Sequence, residues 1–245
     1  MEILLGFVIA VFIGLTGVGA GSMTTPLLIL LLGMPTSQAV GTALIYGAVV
    51  KILTTPMYIR RRQVDWRALG FLLATGLPGV LGGSLILSGF KSDWVTVFVG
   101  VTIMSIALLN LFRFADVARH DRTPWLALVG LPIGLEVGFS SAGAGALGAL
   151  CLMNMTMLAP AAVVGTDLSF GLVLSLVGGG IRAAMGDLNT TVLIRLLIGG
   201  VAGAVTGAVL ASRLPSKKLR FFLCLVLVFL GGQLAWKGLS TALGL

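Results

Sequence analysis

The sequence predicts an all-α polytopic membrane protein made of two inverted repeats, each with about five apolar helical segments and a Gly-broken short helix pair. Three observations carry that prediction. Of the 245 residues, 58% are apolar and only 10% charged, with a mean hydropathy of +1.11, whereas a soluble domain carries about 25% charged residues. Apolar runs of roughly 20 residues recur, the length a helix needs to cross a bilayer, in place of the short alternating segments of a lipid-facing β-barrel. The order of segments in the first half then repeats in the second at an offset of 124 residues.

The first half opens with a short apolar segment, Ile3–Ile13, which runs into Gly14–Pro26, GLTGVGAGSMTTP. Glycines 17, 19 and 21 with hydroxyls at 16, 22, 24 and 25 make a poor helix interior but a good place for backbone to bend and expose N–H groups. Met23–Leu32 is a second short apolar piece, and Thr36–Met57 is the first long enough to span. After Arg60-Arg61-Arg62, the segments Ala68–Leu87 and Trp94–Phe112 span outward and back. The largest polar linker follows. The second half repeats the pattern: short pieces Leu126–Phe139 and Ala146–Met157 around SSAGAG at 140–145, then spans Ala161–Met185, Val192–Ala211 and Phe221–Gly238. Residues 1–112 thus form the first repeat, 113–124 a cytoplasmic linker, and 125–245 the second repeat. The offset of 124 places Gly19 and Gly21 on Gly143 and Gly145, and Gly41-Thr42 on Gly165-Thr166. It also places Gly76, Gly79 and Gly83 on Gly200, Gly203 and Gly207, small residues of the kind that let membrane helices pack closely.

Basic residues orient the halves. The linkers 60–67, 113–122 and 212–220 hold eleven of the sixteen Lys and Arg residues, and such loops face the cytoplasm. The first short pair then begins and ends outside and the second begins and ends inside, so the repeats are inverted. Both termini lie outside a multi-pass inner (plasma) membrane protein. Each short pair is either a hairpin of full crossings or a broken, partly re-entrant one, because charge fixes only the parity. Trp66, Trp94, Trp125 and Trp236 sit near span ends, as interface anchors do. The N-terminus lacks a basic n-region and a small-residue cleavage site, so it reads as retained.

Composition also excludes classes. A net charge of +8 comes from short clusters between apolar spans, which topology explains without nucleic acid. Cys151 and Cys224 lie inside apolar segments as small hydrophobes, and His120 is the only histidine, so metal sites and catalytic triads have little material. No cofactor is expected. The nucleotide-binding pattern G-x-x-x-x-G-K-[ST] is missing, which argues against an ATP-driven pump.

Inverted repeats with Gly-interrupted short helices point to a secondary transporter whose site lies near the midplane at the repeat interface. A helix starting around Ser22–Thr25 and another around Gly143–Gly145 would each aim free N–H groups and a positive dipole end inward. Together they suit a small anion, with Ser22, Thr24, Thr25, Ser140 and Ser141 as further donors. The plainer alternative is that the glycines serve packing and the hydroxyls serve local backbone. The same two options stand for Thr42 and Thr166. Glu136 and Asp167 are intramembrane acids without counterparts in the first half, where the offset gives Phe12 and Ala43. They read either as proton-coupling carboxylates or, for Glu136, as a neutral acid or a partner of Arg182 or Arg195. Lys51 either snorkels to the cytoplasmic end of its helix or guides the anion. Partners are therefore the lipid bilayer, a small anionic substrate, the proton and a second copy in a homodimer.

These residues resemble a known family. GLTGVGAGSMTTPLLILLLGMPTSQAVGTAL at 14–44, with GFSSAGAGALGALCLMNMTML at 138–158 and VVGTDL at 163–168, is similar to the repeated signature of the TauE/SafE sulfite exporter family. The resemblance covers nearly the whole chain. It implies export of sulfite, thiosulfate, sulfoacetate or related organosulfonates, with 17–22, 141–145, Thr42 and Thr166 lining the central site. The second copy departs at Leu150, where the first has Pro26. The competing classes are an anion channel, a carrier of another small oxyanion or carboxylate, and a membrane enzyme or scaffold. A channel would lack saturable exchange, and an enzyme or scaffold would show no substrate-dependent flux.

Overall fold

Glycine and leucine spacing folds into helices almost throughout. The computed structural model describes residues 1–16, 20–89, 92–112, 122–211 and 216–243. They form α1 (Glu2–Thr16), α2 (Ala20–Leu32), α3 (Thr36–Arg60), α4 (Trp66–Gly89), α5 (Ser92–Phe112), α6 (Leu126–Ser140), α7 (Gly143–Met155), α8 (Pro160–Ala184), α9 (Thr190–Ala211) and α10 (Ser216–Leu243). The linker 113–121, with His120, lies outside the described residues.

Among the described residues, five stretches are long and apolar enough to cross a membrane: Thr36–Arg60, Trp66–Gly89, Thr123–Ser140, Pro160–Ala184 and Cys224–Leu243. The protein is therefore an all-α polytopic membrane protein. One expected short piece, Leu126–Phe139, is longer than its sequence suggested. A 3-10 turn at Thr123–Trp125 runs straight into α6 and brings the stretch to 18 residues. Leu85, Phe98, Leu128, Ile198 and Phe229 are exposed, an apolar exterior that only lipid can cover. All four tryptophans are exposed as well.

The most extensive helix pairs are α4 with α6, α1 with α9, α5 with α10, and α3 with α8. Glycine sets the first two. A Cβ at Gly83 would lie 2.0 Å from the carbonyl oxygen of Leu135, one at Gly134 2.2 Å from that of Gly76, and one at Gly199 1.8 Å from that of Ile3. Backbone meets backbone along these seams, as small-residue packing allows. The α4–α6 and α1–α9 seams also share their details. Gly79 faces the carbonyl of Leu131 as Gly203 faces that of Phe7. The Phe170 ring covers Gly76 as the Tyr46 ring covers Gly200. Each contact becomes the other when 124 is added to or subtracted from its residue numbers.

The α3–α8 pair crosses antiparallel through the interior. The start of α3 at Gly41 meets Asp187 beyond the end of α8, and the start of α8 at Gly165 meets Gln63 beyond the end of α3. Leu44 of α3 packs at the crossing against Gly178 of α8, and α2, α6 and α7 pack around it.

Candidate functional site

The run Ser-Ser-Ala-Gly-Ala-Gly breaks the chain between α6 and α7. Ser141 closes α6 in the left-handed region, φ 66°, and its N–H donates to the Val137 carbonyl at 2.9 Å. Two residues into α7 the backbone leaves helical geometry again, with Ala144 at ψ 136° and Gly145 at φ 98°. The latter conformation is open to glycine and strained for a side chain. Regular helix therefore resumes only after Gly145.

The start of α2 lies against this break. A Cβ at Gly21 would sit 1.9 Å from the Ser141 carbonyl oxygen, and the Thr25 and Ser141 hydroxyl oxygens are 2.6 Å apart. The start of α2 thus meets, in the interior, the break between α6 and α7 in the opposite half of the chain. Ser22, Thr24, Thr25, Ser140 and Ser141 are all buried there. The first helix start differs from expectation: α2 begins at Ala20, so Ser22, Thr24 and Thr25 stand in its first two turns rather than ahead of it. Gly17 and Gly19 lie outside the described residues.

Three charged groups surround the break. The Ser140 hydroxyl donates to Glu136 Oε1 at 2.5 Å, one helical turn back, and Gly143 leaves room for the same side chain, whose Cβ and Cγ lie 3.0 Å from where its own Cβ would be. Neither expected arginine partners Glu136: Arg182 pairs with Asp187 at 2.9 Å and Arg195 with Glu2 at 3.2 Å. Asp167 reaches from α8 to α7, where Oδ1 accepts the Gly145 N–H at 3.3 Å. Gly148 makes this possible, since a Cβ there would lie 2.1 Å from the same oxygen. Lys51 does not snorkel. Its side chain is buried, and Nζ donates to the Ser175 hydroxyl at 2.9 Å and the Gly171 carbonyl at 3.2 Å, within electrostatic reach of Asp167. Helix α8 supplies both acceptors, one side-chain hydroxyl and one backbone carbonyl, where it crosses α3, so the lysine need not reach the interface. Ser175, which holds Lys51 beside the break, is a residue the sequence reading did not single out. The signal was available: it stands 124 residues after Lys51.

The second pair of expected site residues goes elsewhere. Thr42 accepts the Asn189 backbone N–H at 3.3 Å and Thr166 accepts the Asp65 backbone N–H at 2.9 Å. Both hydroxyls are buried against loops at opposite ends of the α3–α8 crossing. The break at 140–145 and the start of α2 are brought together with Glu136, Asp167 and Lys51; Thr42 and Thr166 are not. Among the described residues, no three His, Cys, Asp or Glu side chains gather as a metal site would need.

What this arrangement can do is hold a small anion out of water. It offers hydroxyl and N–H donors from the start of α2 and from the α6–α7 break, one ammonium, and two carboxylates able to compete for the same donors. A family model described as "Sulfite exporter TauE/SafE" matches residues 2–234. "Probable membrane transporter protein YjnA" of Bacillus subtilis is 26% identical over 249 residues, covering 95% of this chain and 98% of the relative. "Probable membrane transporter protein YunE" of the same organism is 25% identical, covering 98% of each. A "Probable membrane transporter protein" of Xylella fastidiosa is 26% identical, covering 87% of this chain and 85% of the relative. No solved structure matches significantly.

Proposed function

The chain belongs to the sulfite exporter TauE/SafE family of membrane transporters, and from that membership we propose that it is a proton-linked secondary carrier of sulfite, thiosulfate or small organosulfonates such as sulfoacetate. As a family member it is a transporter of small anions and not an enzyme. The observation that carries the finer reading is the meeting of the buried start of α2 with the α6–α7 break, Gly21 and Thr25 against Ser141. A sulfur oxyanion presents several oxygens in different directions, so donors converging from two helices satisfy it better than one surface can.

Coupling follows from Asp167. Its carboxylate accepts the Gly145 N–H, a donor at the start of α7 that the anion also needs. Protonating Asp167 weakens that bond and removes a negative charge from beside the incoming anion, so proton and anion enter together. Glu136, tied to Ser140, is the second proton carrier. Direction then follows the sum of the two gradients, and export results where the internal anion concentration prevails. The paired seams and their shared 124-residue offset support two inverted repeats, 1–112 and 125–245, joined by the linker 113–124. The cytoplasmic placement of that linker rests on its basic residues.

Reconstituted vesicles test this. Sulfoacetate, which does not titrate near neutral pH, should drive saturable flux with proton movement in the same direction, read by an internal pH dye. Asp167→Asn should keep sulfoacetate flux and lose most of the proton movement, while Thr25→Val should weaken binding about tenfold, the effect of one lost buried hydrogen bond. Absence of saturable flux for every sulfur anion would overturn the substrate reading. Undiminished proton movement in both Asp167→Asn and Glu136→Gln would remove the carboxylates from the mechanism.

A further inference from the structure

The Gly-Thr pairs that the central cluster leaves aside perform one task twice. At one end of the α3–α8 crossing, the loop after α8 lies on the first turns of α3. A Cβ at Gly41 would be 2.2 Å from the Asp187 carbonyl oxygen, and Thr42 accepts the Asn189 N–H. At the other end, the loop after α3 lies on the first turns of α8. A Cβ at Gly165 would be 1.9 Å from the Gln63 carbonyl oxygen, and Thr166 accepts the Asp65 N–H. In both places the residue that donates to the threonine also caps the following helix: Asn189 Oδ1 takes the Val192 N–H at 3.1 Å and Asp65 Oδ1 the Ala68 N–H at 2.8 Å. Even the turns agree, with Asp187 N bonded to the Arg182 carbonyl and Gln63 N to the Tyr58 carbonyl, each at 2.9 Å. From Thr42 to the end of α3 is about 27 Å along the helix at 1.5 Å per residue, so the two clasps stand near opposite faces of a bilayer core of about 30 Å. Midway between them, Lys51 bonds Ser175.

We propose that the two loops, 61–65 and 186–189, are the carrier's two gates, each latched by its own Gly-Thr pair, and that both are shut in this structure. The glycine admits the loop backbone to the helix surface, and the threonine holds it by one hydrogen bond. One bond is a strength suited to a gate that must open in every cycle. The gates are not equal. The 186–189 gate has an added lock, because buried Arg182 bonds both Asp187 in the loop, at 2.9 Å, and the Ser84 carbonyl of α4. The other gate has Tyr58 and Gln63 at the matching positions. The 61–65 gate is therefore the one that opens more readily at rest.

The proposal rests on the carrier reading for its purpose, but its test needs no substrate. In a background of Cys151→Ala and Cys224→Ala, a reporter cysteine at the centre (Ala144→Cys, a position 1% exposed) is offered a membrane-impermeant maleimide from each face of sealed vesicles. Thr42→Val should raise its labelling rate about tenfold from the face of loop 186–189 only, and Thr166→Val by a similar factor from the opposite face only, each losing one buried hydrogen bond. Asp187→Asn should act in the direction of Thr42→Val. Thr42→Ser and Thr166→Ser keep the acceptor oxygen and should stay at the background rate. If the valine variants do not remain monodisperse in detergent, Asp187→Asn decides alone: faster labelling from its own face supports the lock, and an unchanged rate refutes it. Labelling that rises from the same face in both valine variants overturns the proposal. So does faster labelling of loop cysteines (Val64→Cys, Leu188→Cys) while the central cysteine stays unreachable, since the threonines would then be structural ties. Loss of sulfoacetate flux with sided labelling intact would indict the substrate reading and leave the gates standing.

Discussion

Lys51 concentrates the electrostatics of the interior at a single side chain. Its ammonium is buried, bonded to Ser175 and Gly171 and near Asp167. Removing one charge from such a group leaves the other uncompensated, which costs about 3–5 kcal/mol. Lys51→Met should therefore lower the melting temperature in detergent and abolish sulfoacetate binding. Lys51→Met with Asp167→Asn removes both charges, so the melting temperature should recover while binding stays lost. Recovery of binding in the double variant would show that Lys51 serves the fold alone. Sequence reasoning held snorkelling beside anion guidance for Lys51, because the residue lies about two turns from the cytoplasmic end of its helix. The acceptors that hold it inside come from α8, more than a hundred residues on, and no local pattern announces them. Arg182 taught the same lesson in reverse: its acid partner, Asp187, is only five residues ahead, across the end of α8.

At the scale of elements, close packing of α4 on α6 makes the glycines unequal. Gly83 has a backbone carbonyl 2.0 Å from where a Cβ would be, whereas nothing lies within 4 Å of one at Gly70. A backbone atom cannot rotate away, so Gly83→Ala should force the helices apart and destabilise by about 1–3 kcal/mol or more. Gly70→Ala, in the same helix, should be neutral or stabilise by up to about 1 kcal/mol. Thermal unfolding in one detergent compares them directly, and equal shifts would mean that the seam is loose. Seams of this kind were legible in advance, because Gly76, Gly79 and Gly83 recur at helical spacing and again 124 residues later. The break at 140–145 was legible too, since glycines and serines cannot sustain an apolar helix there. Less could be read of the helix starts. A turn of 3-10 helix lengthened the segment ahead of α6, and α2 began at Ala20 rather than among its hydroxyls, because capping residues mark a helix end only to within a turn. The meaning of Gly-Thr at 41–42 and 165–166 was hidden for another reason. Their partners are backbone groups of distant loops, which carry no side-chain signature.

For the whole molecule, the antiparallel α3–α8 crossing constrains topology. Loop 61–65 adjoins Arg60-Arg61-Arg62, and basic loops face the cytoplasm. Loop 186–189, at the far end of the crossing, then faces outward. With that orientation, α9 running inward and α10 outward, the C-terminus is expected outside. Tracing back from the outer end of α3, the pair α1–α2 would return the N-terminus to the same side if both helices cross or if neither does. At 15 and 13 residues these two are about 22 and 20 Å long, short of the hydrocarbon thickness of about 30 Å. A periplasm-active phosphatase fused after Leu245 should therefore be active, and a fluorescent protein that folds only in the cytoplasm should stay dark at the same place. A cytoplasmic C-terminus would break the inverted relation between the halves, because the two repeats would no longer each cross the membrane an odd number of times. It would leave the contact between the start of α2 and the α6–α7 break untouched. The anion site and the inversion are thus separate proposals, and the inversion is the one that would account for two matching gates on opposite faces.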